Sequence, residues 1–316
     1  LETANLEKRS VELSLVCPMI NEEDMIQLFF ATVTPLISEC SQSFEIIVVN
    51  DGSTDQTLAR LILMREQIPQ LRIVDLSRNF GKEAALTAGL AHARGEAVIM
   101  IDADLQDPPE LIPEMVAHWR EGFDVVTHVR TDRYADGFFK RATANAFYRL
   151  INKISDTEIT PNAGDYRLLA RPALDAFLSL EERIRFNKGL FEWLGFREMR
   201  LAHARSDRAI GTTKWNYRKL FRFAVDGITS FSSFPLKVWS WLGFSLATGA
   251  FIYGAVIVIK TVILGVDQPG YASLMTVMLF FNGITLVGIG MLGEYVSRIF
   301  VETKRRPLYL VRKVYE

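Results

Sequence analysis

Ala97-Val98-Ile99-Met100-Ile101-Asp102-Ala103-Asp104 is the stretch that decides the fold. Five apolar residues in succession, with no polar alternation, fit a strand covered on both faces. The run ends on two carboxylates one residue apart. The same sequence of events occurs earlier in the chain. Residues 11–18 form an apolar run ended by Pro18 and followed by Asn21-Glu22-Glu23-Asp24. Residues 44–50 form a β-branched run followed by Asp51-Gly52-Ser53-Thr54-Asp55. Residues 71–76 read as a third strand, 97–101 as the fourth and 124–128 as a fifth. Between them lie helical patterns at 22–39, 55–67, 82–93 and 109–121, with further helices expected near 138–152 and 172–180. Strand–helix alternation of this kind predicts an α/β domain built on a mostly parallel sheet, with its ligand at the carboxyl ends of the strands. The polar clusters all fall at those ends.

The rest of the chain differs in kind. Hydrophobic residues make up 49% and charged residues 23% of the 316, but residues 235–292 carry almost no charge, so the average conceals two regimes. Residues 236–264 and 271–292 each offer the roughly 20 apolar residues that a helix needs to cross a bilayer. The plain alternative is a pair of buried core helices. The connection at 265–270 has no Lys or Arg. Basic residues flank the pair, with Arg218, Lys219 and Arg222 before it and Arg298, Lys304, Arg305 and Arg306 after it. The positive-inside rule places both termini in the cytoplasm and the connection on the far side. Residues 215–234 mix aromatic and basic side chains, which suits a helix lying in the membrane interface or an ordinary amphipathic packing helix. The glycines between Gly283 and Gly293 would permit close helix packing, so a homo-oligomer stays open.

Composition excludes several classes. A net charge of -1 gives no reason to expect nucleic-acid binding. Cys17 and Cys40 make neither a disulfide framework nor a zinc site. Residues 1–12 are polar and read as no signal peptide. Gly81-Lys82 lacks the remainder of a P-loop, and no GxGxxG follows a strand. Asp102 and Asp104, at i and i+2 of an extended segment, point to the same side and could share one hard divalent cation, Mg²⁺ or Mn²⁺, completed by substrate phosphates. A solvated acidic turn is the alternative.

Taken together, Pro18-Met19-Ile20-Asn21-Glu22, Asp51-Gly52-Ser53-Thr54-Asp55 and Asp102-Ala103-Asp104 resemble the family 2 inverting glycosyltransferases of the GT-A fold. Four later motifs narrow the resemblance: Gly164-Asp165-Tyr166-Arg167-Leu168, Gly211-Thr212-Thr213-Lys214-Trp215, Asp226-Gly227-Ile228-Thr229-Ser230-Phe231 and Gly293-Glu294-Tyr295-Val296-Ser297-Arg298. They resemble the polyprenyl-phosphate glycosyltransferases, a group that includes the bactoprenol glucosyltransferases of O-antigen (lipopolysaccharide) modification and the dolichol-phosphate mannose synthases.

The resemblance implies a cytoplasmic GT-A catalytic domain at 1–210, juxtamembrane interfacial helices at 211–234, two transmembrane helices at 235–296 and a basic cytoplasmic tail at 297–316. It implies a multi-pass protein of a bacterial inner membrane that transfers one sugar from a nucleotide sugar to a polyprenyl phosphate. UDP-glucose is the first donor expected, with GDP-mannose, UDP-N-acetylglucosamine and modified aminosugar donors left open. Pro18, Asn21, Glu22, Asp51, Asp102 and Gln106 would bind the nucleotide sugar, and Asp102 and Asp104 the metal. Asp165 would act at the reaction centre, with a structural carboxylate as its alternative. Arg130, Arg133, Arg208 and Lys214 would meet phosphate on donor or lipid acceptor, each with a solvated surface charge as its alternative. A flippase and a second glycosyltransferase would share the pathway. Two rival readings are a processive polysaccharide synthase, whose QxxRW signature is missing, and an inactive nucleotide-sugar-binding scaffold, against which the intact acidic set argues.

Overall fold

A computed structural model describes residues 11–130, 163–183, 185, 187–203, 234–264 and 270–316. Eight strands form one sheet in the order β7-β5-β6-β4-β1-β2-β3-β8. The central four are β1 (Leu13–Met19), β2 (Phe44–Asn50), β3 (Leu71–Leu76) and β4 (Ala97–Met100). They run parallel, with Leu13 opposite both Phe44 and Ala97, and Asn50 opposite Asp75. β5 (Val125–Arg130) and β7 (Glu198–His203) also pair in parallel. Two strands run the other way. β6 (Ala163–Ala170) lies antiparallel between β4 and β5, and β8 (Val311–Tyr315) lies antiparallel on the outer edge of β3.

Both faces of the sheet are covered, as the uninterrupted apolar strands require. On one face Leu13, Leu15, Cys17, Ile46 and Val48 pack against α1 (Ile26–Cys40), α2 (Thr57–Gln67) and α4 (Ile112–Arg120). α1 contributes Ile26, Phe29, Phe30, Val33 and Ile37, an i, i+3, i+4 stripe. Each fully buried side chain of this size stabilises by about 1.5–3 kcal/mol. On the other face Val16, Ile47, Val49 and Val98 meet α3 (Lys82–His92), α5 (Arg171–Ser179) and α6 (Asn187–Trp193). α3 buries Ala84, Ala85, Ala88 and Gly89, and these small residues seat it closely on the centre of the sheet.

β1 is flanked by β2 on one side and β4 on the other, so chain order reverses between β1 and β4. That switch point opens a crevice beyond the carboxyl ends of these strands. Sequence periodicity finds β1 to β5 but not β6, β7 or β8. The expected helix near 138–152 and the interfacial helix at 215–234 lie outside the described residues, apart from the last residue of the latter.

Two long helices follow, α7 (Phe234–Leu264) and α8 (Tyr271–Thr303). Along them Trp241, Phe244, Phe251, Ile252, Phe280, Leu286 and Ile289 are exposed. An apolar surface this extensive marks contact with another apolar medium or partner. Among the described residues one stretch, Phe280–Thr303, is long and apolar enough to cross a membrane by length and composition. α7 is a helix of 31 residues. Beyond α8 the sequence reads as a basic tail, yet residues 311–315 pair with β3 as an edge strand. Val311 and Val314 are half-buried there, and Arg312 and Lys313 are exposed.

Candidate active site

The site begins with the loops after β1 and β2, which are bound to each other. Asn21 adopts a left-handed backbone, φ 52°. Its N–H donates to Ser53 Oγ at 3.0 Å, and its Oδ1 accepts from the Thr54 N–H at 2.8 Å. The Glu22 N–H donates to Thr57 Oγ1 at 2.9 Å, and Glu23 Oε2 accepts from the Gln56 N–H at 2.9 Å. Pro18 sits in β1 opposite Val49. Short polar side chains thus satisfy the backbone donors that the strand ends leave open.

Asp51 is buried, and its two carboxylate oxygens accept the backbone N–H groups of Phe80 at 2.7 Å and Gly81 at 3.0 Å. This places a negative charge against the amino end of α3, where the helix dipole favours it. It also fixes where α3 starts, and therefore where Lys82 stands. Gly52, at φ +64°, lets the chain pass Arg78: a Cβ there would lie 2.4 Å from the Arg78 carbonyl carbon.

Lys82 projects from the first residue of α3 to the end of β4. Its Nζ lies 2.7 Å from Asp102 Oδ2 and 2.6 Å from Asp165 Oδ2. The antiparallel register explains the meeting. Met100 faces Arg167, so two residues further along β4 and two back along β6 bring Asp102 and Asp165 together. Burial works to raise the Asp165 pKa, but the Lys82 ammonium, followed by Lys188, outweighs it and holds the carboxyl well below its usual range. Asp102 moves the other way. Burial raises it, and Asp165 and Asp104 add to the rise against the pull of Lys82. Burial also raises neighbouring Glu83 to about 7, helped by the charge on Asp165.

After Asp102 the chain turns sharply, with Leu105 at φ 50°. Asp104 Oδ1 accepts from the Gln106 N–H at 3.2 Å, and Gln106 is buried. A leucine held left-handed costs of order 1–3 kcal/mol, and such strain clusters at functional sites. Among the described residues no group of three or more His, Cys, Asp or Glu side chains converges on one point. A complete protein cage for a metal is therefore not formed there. Two carboxylates on one tight turn match the other arrangement, in which a hard cation takes one or two carboxylates and fills its shell with phosphate and water. Asp102, Asp104, Asp165 and Lys82 together hold an excess of two negative charges, which also suits a divalent cation.

The structure brings Asn21, Glu22, Asp51, Asp102, Asp104, Gln106 and Asp165 to the same end of the sheet. Arg130 ends β5 opposite His203 of β7. Arg133, Arg208 and Lys214 lie outside the described residues. Sequence reasoning missed Lys82, setting Gly81-Lys82 aside once a P-loop was excluded. The available signal was positional, because Ser77-Arg78-Asn79-Phe80-Gly81-Lys82 follows a buried strand as the acidic clusters do.

Residues 14–178 match the glycosyl transferase family 2 model, and residues 234–299 match the GtrB C-terminal hairpin, the segment that here forms α7 and most of α8. The chain belongs to glycosyltransferase family 2 and is a glycosyltransferase. It is 50% identical to an uncharacterized glycosyltransferase of Synechocystis, over 96% of this chain and 95% of that one. It is 44% identical to the prophage bactoprenol glucosyl transferase homolog of Escherichia coli, over 96% of this chain and 99% of the relative. The bactoprenol glucosyl transferase of Shigella phage SfII is also 44% identical, over 96% and 98%. Among solved structures it resembles a glucosyl-3-phosphoglycerate synthase from Mycobacterium tuberculosis, at 22% identity and a TM-score of 0.44, over 70% of this chain and 77% of that one.

Proposed function

We propose that this glycosyltransferase moves a single sugar, glucose from UDP-glucose in the first instance, onto the phosphate of undecaprenyl phosphate or a similar polyprenyl phosphate. The observation that carries the reading is the convergence of Asp102, Lys82 and Asp165 at the switch point, in a chain that continues into two long helices with exposed apolar surfaces. The names of the bactoprenol relatives and the match to their hairpin support a lipid acceptor. The two helices would hold residues 1–210 at the cytoplasmic face of a bacterial inner membrane, both termini inside. Residues 211–234 would lie in the interface. The acceptor keeps its tail in lipid, so a site held just above the bilayer searches a plane rather than a volume.

The nucleophile is an oxygen of the acceptor phosphate. A phosphate monoester has a second pKa of about 6, so at neutral pH it is already charged and needs no general base. Its oxygen forms a bond to the sugar C1 as the bond from C1 to the diphosphate breaks, and the electron pair leaves with the nucleoside diphosphate. In-line attack inverts the anomeric centre. Asp102 and Asp104 would hold Mg²⁺ or Mn²⁺, which when bound supplies Lewis-acid neutralisation of the leaving diphosphate. Pro18, Asn21, Glu22, Asp51 and Gln106 would line the donor pocket. Lys82 adds a positive charge beside the reaction, and Arg130, Arg133, Arg208 and Lys214 would bring the two anions together by charge-assisted hydrogen bonds. Asp165 orients sugar or acceptor.

The test is a panel of UDP-glucose, GDP-mannose, UDP-N-acetylglucosamine and aminosugar donors with undecaprenyl phosphate and Mn²⁺, scored by mass spectrometry of the lipid. A hexosyl-phosphoprenol formed from UDP-glucose is expected. No lipid-linked sugar from any donor would overturn the reading.

A further inference from the structure

Lys82 holds a place that a metal reading of Asp102 has to reckon with. Its ammonium sits on Asp102 Oδ2 at 2.7 Å, where a divalent cation bound by that carboxylate oxygen would also sit. Two positive charges that close repel strongly in a partly buried site. The ammonium has a second berth, because Asp165 Oδ2 is 2.6 Å away and lies on a different strand. The Lys82 side chain is 45% exposed, so it has room to swing while keeping that partner. Asp165 itself is only 13% exposed and is fixed in β6.

We propose that Lys82 is a positioning residue that stands in for the metal at Asp102 and withdraws to Asp165 when the donor's diphosphate brings the cation in. Metal entry is then coupled to donor binding. Without a diphosphate, a divalent cation has to evict the ammonium in exchange for one or two carboxylates. With the diphosphate present, phosphate oxygens fill its shell and the displaced ammonium gains a new anionic neighbour. This inference rests on the metal and donor assignment made above.

The experiment is Mn²⁺ titration of the full chain in detergent, followed by loss of the free-ion electron paramagnetic resonance signal, with and without UDP. The contribution of binary Mn²⁺–UDP is subtracted. In the native protein UDP should tighten Mn²⁺ at least tenfold. Lys82→Gln should bind Mn²⁺ alone about tenfold more tightly than the native protein, and the gain from UDP should shrink correspondingly. Lys82→Arg keeps the charge and should keep the native pattern. Should Lys82→Gln fail to fold, Lys82→Met carries the same expectation. A purely structural role would weaken metal binding on substitution, so the direction of change is decisive. Equal or weaker binding of Mn²⁺ alone by the neutral variants, with the UDP effect intact in the native protein, overturns the role of Lys82. Absence of Mn²⁺ binding in every arm overturns the metal assignment itself and this inference with it.

Discussion

The guanidinium of Arg312 reaches the carboxylate of Asp75 at 3.4 Å, across 237 residues of chain. Asp75 is buried and also accepts from Asn50 Nδ2 at 2.7 Å, so the contact ends one residue from Asp51. At the opposite end of the same strand, Glu316 Oε1 accepts from Arg72 at 2.8 Å and Arg94 at 2.6 Å. The segment after the two long helices therefore belongs to the sheet that builds the site. Val314→Asn should set a polar amide in the half-buried position paired with Val74 and cost roughly 1–3 kcal/mol. Thermal melts of the full chain measure it, and an unchanged midpoint would mean that β8 contributes nothing to the stability of the sheet.

Gly52 and Gly81 both have backbones that side chains avoid, but only one is crowded. At Gly52 an added Cβ would strike the Arg78 backbone at 2.4 Å, whereas at Gly81 it would meet nothing within 4 Å. Gly81→Ala should cost only its backbone strain, about 1–3 kcal/mol. Gly52→Ala adds a backbone clash and should cost roughly 3 kcal/mol or more. Comparing the two by denaturant unfolding checks the ranking, and Gly81→Ala proving the worse would contradict it.

Asp102→Asn removes a charge and a metal ligand while keeping the side-chain size. Turnover at limiting Mn²⁺ should fall by about a hundredfold or more. The measurement is UDP release with donor and polyprenyl phosphate. Native turnover in this variant would remove Asp102 from the metal site.

Glu83 gives the protein a pH signature. Its folded pKa of about 7 exceeds the ordinary 4.5, because burial, and then Asp165, oppose ionisation. Its contribution to stability is thus complete below about pH 4.5 and is lost as pH rises through 7. Glu83→Gln, which cannot ionise, should match the native protein near pH 5 and exceed it at pH 8 by roughly 3 kcal/mol at most. Melts at the two pH values decide, and a gap independent of pH would show that Glu83 does not titrate in this range.

How much of this was legible in the sequence follows from the range of each signal. Val98 to Ile101 and Ile46 to Val49 announce buried parallel strands because burial on both faces needs only a local apolar run. The clusters at Asn21, Asp51 and Asp102 announce the site because an open sheet offers ligands only its strand ends. β6 escapes, since Ala163-Gly164-Asp165-Tyr166-Arg167 alternates polar residues that find partners only after folding. Arg167, fully buried in β6, lies over the Phe191 ring at 4.3 Å, a contact with no local trace. Lys82 was missed for the same reason, because its two carboxylates come from β4 and β6. β8 is short and half-exposed, and its Arg312-Lys313 pair reads as part of a basic tail until Asp75 is in view.

The edge strand also sets an order of assembly. A ribosome delivers β1 to β7 first, then both greasy helices, and only afterwards the five residues that complete the outer margin of the sheet. Until then β3 presents a row of unpaired backbone groups, the kind of surface that recruits a wrong neighbour. A nascent chain stalled within α8 would be sticky at that margin, and completing it would require the helices to have been delivered on schedule.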